Sequence, residues 1–137
     1  MKTKSIFVAA ALALGAVNAH SDEWVSLGGT NTGFEVEVKA GSLRLMNRTD
    51  GEPIALALFQ VHDPSGNVTY ERKYVTLSDC AKGSGELVTI GAGDDTSVRH
   101  TSEFISGGDS AGSYVADILC RAARDEIDQR RSTEKSV

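Results

Sequence analysis

The sequence predicts an α+β fold: an antiparallel sheet of about six strands in a meander, with one C-terminal α-helix packed on it. Three observations predict it. Residues 24–104 alternate apolar and polar side chains between turn residues, which is the signature of half-buried strands. After "SGGDS" the apolar period lengthens to that of a helix. The only two cysteines, Cys80 and Cys120, fall one at the end of a strand segment and one beside the helical stripe. Each element follows in order.

"GFEVEVKAG" sets Phe34, Val36 and Val38 on one face and Glu35, Glu37 and Lys39 on the other. "SLRLMN" continues the alternation with Leu43 and Leu45. "PIALALFQV" is apolar on both faces and reads as the central strand. "HDPSGN" is a turn, with Pro64 presetting φ and Gly66 accepting a tight reversal. "VTYERKYVTL" returns as a long strand with Tyr70 and Tyr74 at even positions. "ELVTIG" and the half-polar "SVRHTSEFI" complete the set, the latter near an edge. Tyr114, Val115, Ile118, Leu119 and Ala122 form one helical face, with Asp109 or Ser110 available to cap its first turn. Beyond Ile127 the run "DQRRSTEKSV" lacks core formers except Val137, so residues 128–137 are expected as a disordered polar tail.

The opening "MKTKSIFVAAALALGAVNAH" has Lys2 and Lys4 ahead of an apolar run at residues 6–17, then small residues to Ala19. That order is expected of a cleaved signal peptide, residues 1–19, leading to the periplasm or outside the cell. The run is too short for a resident membrane span, and no cysteine follows the cleavage point to carry a lipid. The mature chain, residues 20–127 without the tail, is expected as a single domain. Losing Lys2 and Lys4 takes the formal charge from −5 to −7. An acidic chain repels phosphate backbones, which excludes nucleic acid as the expected partner.

Cys80 could serve as a nucleophile, a metal ligand or half of a staple. In an oxidising compartment two cysteines most simply make one disulfide, and a catalytic thiol would need a base and would compete with that pairing. Cys80–Cys120 is therefore expected as a bridge from sheet to helix.

These residues carry a family resemblance. Trp24 follows the signal in "EWVSLG", "GFEVEV" supplies a Gly-Phe-x-Val strand, Asp79-Cys80 ends "LSDC", and the last cysteine sits in "YVADILC". Over residues 24–120 the chain resembles the bacterial surface-adhesin protein E family. The resemblance implies an antiparallel sheet, a C-terminal helix, a disulfide between them and a role in adhesion. The founding adhesins are tethered, whereas this chain has no lipobox cysteine, and no residue of their host-binding surface maps onto it.

Motifs for chemistry are few. "GAGDD" sits between strand segments and opens no helix, so it reads as an acidic turn rather than a phosphate cradle. Its Asp94 and Asp95 do not follow the spacing of a calcium loop. Asn47-Arg48-Thr49 and Asn67-Val68-Thr69 match a glycosylation pattern but fall at turns and strands. No serine lies in a nucleophile elbow, and His62 and His100 read as solvated side chains. Cleavage after Ala19 would leave His20 at the amino terminus, where its amine and imidazole could chelate Cu²⁺. The expected function is that of an exported, non-enzymatic protein that binds another protein. Glu35, Glu37, Asp94 and Asp95 are the candidate residues for a basic partner. A periplasmic inhibitor or immunity-type protein, and a copper module built on His20, are the alternatives.

Overall fold

The computed structural model describes residues 23–135 of the 137. The predicted signal peptide and His20, as well as the last two residues of the predicted tail, lie outside the described residues.

Seven antiparallel strands form one sheet: β1 (Trp24–Gly29), β2 (Glu35–Lys39), β3 (Arg44–Asn47), β4 (Pro53–His62), β5 (Val68–Thr76), β6 (Ser84–Gly91) and β7 (Val98–Ile105). A short helix, α1 (Leu77–Lys82), separates β5 from β6, and the long helix α2 (Ala111–Lys135) follows β7. The strand order is β1-β2-β4-β5-β6-β7, with β3 also paired to β4. The strand beyond the expected six is β1.

β4 is central, as its two-sided apolar sequence predicts. Ala55, Ala57 and Phe59 turn to one face, and Ile54 and Leu56 to the other; all five are buried. β2 and β3 lie end to end along the same edge of β4: Val38 pairs Phe59, while Arg44 pairs Leu56. The chain bulges between them, and Ser42 Oγ accepts the Leu58 N–H at 3.0 Å, so that donor keeps a partner across the break.

The predicted strand "VTYERKYVTL" stops at Thr76, and its last residue instead starts α1. Thr76 is the N-cap: its Oγ1 accepts the Asp79 N–H at 3.1 Å. Gly83 closes the turn in the left-handed conformation, φ 80°. Asp79 then accepts the Glu86 N–H at 3.2 Å and faces the Lys82 ammonium at 3.1 Å, tying α1 to the start of β6. Gly85 is required beside it, because a Cβ there would lie 2.0 Å from Asp79 Oδ2.

α2 crosses one face of the sheet. Of the two candidate caps it is Ser110 that acts: its Oγ accepts the Ser113 N–H at 3.1 Å. Val115, Ala116, Ile118, Leu119, Ala122 and Ala123 are buried against Leu27, Val38, Phe59, Val75 and Phe104. This is the main core, and the disulfide Cys80–Cys120 joins α1 to α2 at its margin (Cα–Cα 5.5 Å). The expected disordered tail is corrected for residues 128–135, which continue the helix. Residues 128–134 are exposed, but Arg130 pairs with Glu126 one turn back at 3.0 Å and Thr133 donates to the Gln129 carbonyl at 3.0 Å. Arg, Gln, Glu and Lys are good helix formers, and a helix already nucleated by packing extends through them without a core.

Three outcomes test this framework. The Cys80–Cys120 bond closes a separation of 40 residues, so Cys120→Ser should lose roughly 2–5 kcal/mol in urea unfolding. Thiol labelling of the unreduced, unfolded protein should find no free cysteine. Burial disfavours the Asp79 carboxylate, but Lys82 and the Glu86 N–H outweigh it and hold its pKa below 3.8. A depressed pKa stabilises the fold above the unfolded value and loses that contribution as pH falls through the lowered one. Asp79→Asn should therefore be roughly 1 kcal/mol less stable at neutral pH. That difference should shrink as the pH is taken well below 3.8; a constant gap across the series would remove the carboxylate from the account.

Candidate functional site

The face of the sheet opposite α2 carries no second layer among the described residues. Register sorts its side chains into rows. One row runs Leu58, Arg72, Ile90 and Val98 across four strands, and Trp24 pairs with Lys39 at the β1–β2 end of the same face. A second runs Ser26, Glu37, Gln60 and Tyr70. The central part of this face is nonetheless dry: Ile54, Leu56, Tyr74, Val88 and Ile90 form their own buried cluster.

Two connections fold over that cluster. Arg48, in the β3–β4 turn, holds Asp50 in a two-pronged ion pair at 3.0 and 2.8 Å. The hydrogen bond from Arg48, then the Glu52 N–H, lowers the Asp50 pKa to about 2; Asp50 and then the Tyr74 hydroxyl raise that of Arg48. On the other side Arg72 reaches into the β6–β7 loop. Its Nε donates to the Gly91 carbonyl at 2.7 Å, and Nη2 donates to those of Gly93 at 2.5 Å and Asp95 at 3.3 Å. Between turn and loop lies a groove of about 310 Å³, floored by Ile54, Leu56, Tyr74 and Ile90 and opened at its rim by Met46 and Val98.

The end of the face near β1 and β2 differs. Trp24 and Tyr70 stand on strands three spacings apart, roughly 14 Å, yet their ring centroids are 5.9 Å apart with planes at 49°. The two rings therefore lean toward one another above the strands between them. In the neighbouring row, Glu37 Oε1 is bonded by Gln60 Nε2 and by His62 Nε2, the latter at 2.8 Å.

The candidate acids do not form one patch. Glu35 and Glu37 share a face, as alternation predicts, and Glu35 is exposed. Glu37 is not a free solvent-facing carboxylate: it is only 26 % exposed and is engaged by Gln60 and His62. Phe34, expected to face the core with Val36 and Val38, precedes β2 in a turn and is 40 % exposed. Asp94 and Asp95 lie in the β6–β7 loop, with β4 and β5 between them and β2. Asp95 serves that loop: its Oδ1 accepts the Ser97 hydroxyl at 2.6 Å and the Ser97 N–H at 2.9 Å. Those bonds, aided by Arg99 and Arg72, lower its pKa. His62 is a partner of Glu37 rather than a solvated side chain, whereas His100 is exposed on β7. Among the described residues no group of three or more His, Cys, Asp or Glu is placed to hold a metal, and no helix is long and apolar enough to cross a membrane.

Sequence reasoning missed Arg48, Arg72 and the Trp24–Tyr70 pair. The available signal was the even-numbered side of β5, where Tyr70, Arg72 and Tyr74 alternate with Glu71 and Lys73. No family model, curated protein or solved structure matches the chain.

Arg72 gives this site a direct test. Arg72→Met keeps the apolar stem but removes the donors to three carbonyls, and should cost roughly 1–3 kcal/mol. Hydrogen exchange of residues 92–97 should quicken while the centre of β4 stays protected. Unchanged exchange in that loop would show that Arg72 does not anchor it.

Proposed function

We propose that this is an exported, non-enzymatic binding protein, adhesin-like in the manner of surface-adhesin protein E, that engages another protein through the uncovered face of its sheet. One observation carries the reading. Among the described residues six large apolar side chains are exposed, and five of them, Met46, Val68, Tyr70, Val98 and Ile105, stand on that face by strand register. Exposed apolar groups scattered singly need no explanation, but their concentration on one face of a sheet marks an interaction surface. The groove beside Met46 and Val98 has the form of a socket for an apolar side chain of the partner. Export is supported by the basic-then-apolar amino terminus and by the disulfide, a bond that persists in oxidising compartments.

The test is capture by the mature protein from host matrix proteins and from periplasmic extract, repeated with Met46→Glu and Val98→Asp. Both side chains are at least half exposed, so the fold should persist while affinity for the captured protein falls roughly tenfold or more. A partner held equally well by both variants would place the interface elsewhere.

A further inference from the structure

We infer that the end of the uncovered face built by Trp24, Tyr70, Glu37, Gln60 and His62 is a binding site for an uncharged saccharide. This goes beyond the protein-binding reading, with which it shares Tyr70 but not the apolar groove beside Met46 and Val98. The first element is the aromatic platform. Tyr70 is half exposed and Trp24 partly so, and the pair leans together across two intervening strands. A flat apolar ring with a polar rim suits the C–H face of a pyranose, which is apolar while its edge carries hydroxyls.

The second element is a fixed polar array in the adjoining row. Glu37 Oε1 is occupied by Gln60 and His62, which orients all three side chains. Among the described residues no hydrogen bond is made to Glu37 Oε2, Gln60 Oε1 or His62 Nδ1. Every fully buried side-chain polar atom of the described residues has a partner, so these three unused atoms are not sealed from solvent, although Gln60 as a whole is only 9 % exposed. They offer a charged acceptor, a neutral acceptor and a ring nitrogen that donates or accepts, which matches hydroxyl groups able to do both. Few polar groups held in place beside apolar surface is the usual composition of a ligand site.

Charges of both signs stand on the same face, so neither sign of ionic ligand is favoured outright. The Lys39 side chain stands cross-strand from Trp24, and its ammonium disfavours a cation on the platform. The carboxylates of Glu35 and Glu37 disfavour an anion beside it. A neutral sugar meets neither penalty.

Trp24 is the only tryptophan in the chain, so its fluorescence reports this site alone. The mature protein is titrated with maltotetraose, cellotetraose, chitotetraose and lactose. A saturable emission shift from at least one is expected, unaltered between low and high salt because the ligand is uncharged. Tyr70→Ala and Glu37→Gln, each confirmed folded by circular dichroism, should weaken that binding roughly tenfold, about the worth of one strong contact. Met46→Glu, in the apolar groove, should leave it unchanged. No saturable shift from any of the four sugars would overturn the inference. So would equal binding by Tyr70→Ala, or a response confined to a trimethyl-lysine peptide and abolished by salt.

Discussion

One helix lies on a seven-stranded sheet, and the widths do not match. A helix with its side chains is about 10 Å across, whereas the five spacings of the main strand order span roughly 24 Å. α2 can cover a stripe of one face and nothing of the other. On the helix side that stripe is filled by small residues on β4, Ala55 and Ala57, beside Phe59, so the helix seats closely. On the far side the sheet has to keep its own apolar centre dry without a second layer. Arg48, Arg72 and the two connections they pin perform that task. Most of what is distinctive about the uncovered face follows from this shortage of cover.

The shortage is met differently at the two ends. Near β3 and the β6–β7 loop, guanidinium groups gather backbone carbonyls and a carboxylate around an apolar hollow. Near β1 and β2, two aromatic rings lean inward, and beside them a buried Gln60 is satisfied by Glu37. Long amphipathic side chains thus shield the sheet with their stems and rings while presenting polar ends to water. The same arrangement that shelters the sheet leaves a surface of mixed character available for recognition.

Local rules carried much of the fold. Alternation marked most of β2 to β7, whereas β4 was marked by a run apolar on both faces, and both of its faces are buried. The stripe from Val115 to Ala122 marked α2, since its 3.6-residue period is written in consecutive turns. β1 escaped because "WVSLGG" ends in glycines and its register slips between Ser26 and Gly28, breaking the alternation. α1 escaped because its six residues are too few to show a period, although Thr76 with Asp79 three positions on is a capping signal. The site was less legible still. Glu37 loses its freedom to Gln60 and His62, 23 and 25 residues away, and Trp24 meets Tyr70 across two other strands. Contacts of that kind are set by strand order, which alternation does not encode.

The bridge between Cys80 and Cys120 also determines how the protein carries load. Between the two sulfurs run the end of α1, β6, β7 and the first turns of α2. Tension applied at the far end of α2 passes through the bond to Cys80 and on into β5. The enclosed segment is thereby spared, and roughly 130 Å of extended chain cannot be drawn out while the bond stands. β6 and β7 would keep their places in the sheet under a pull that strips the exposed end of the helix. The covalent bond acts as a stop on how far the chain can stretch.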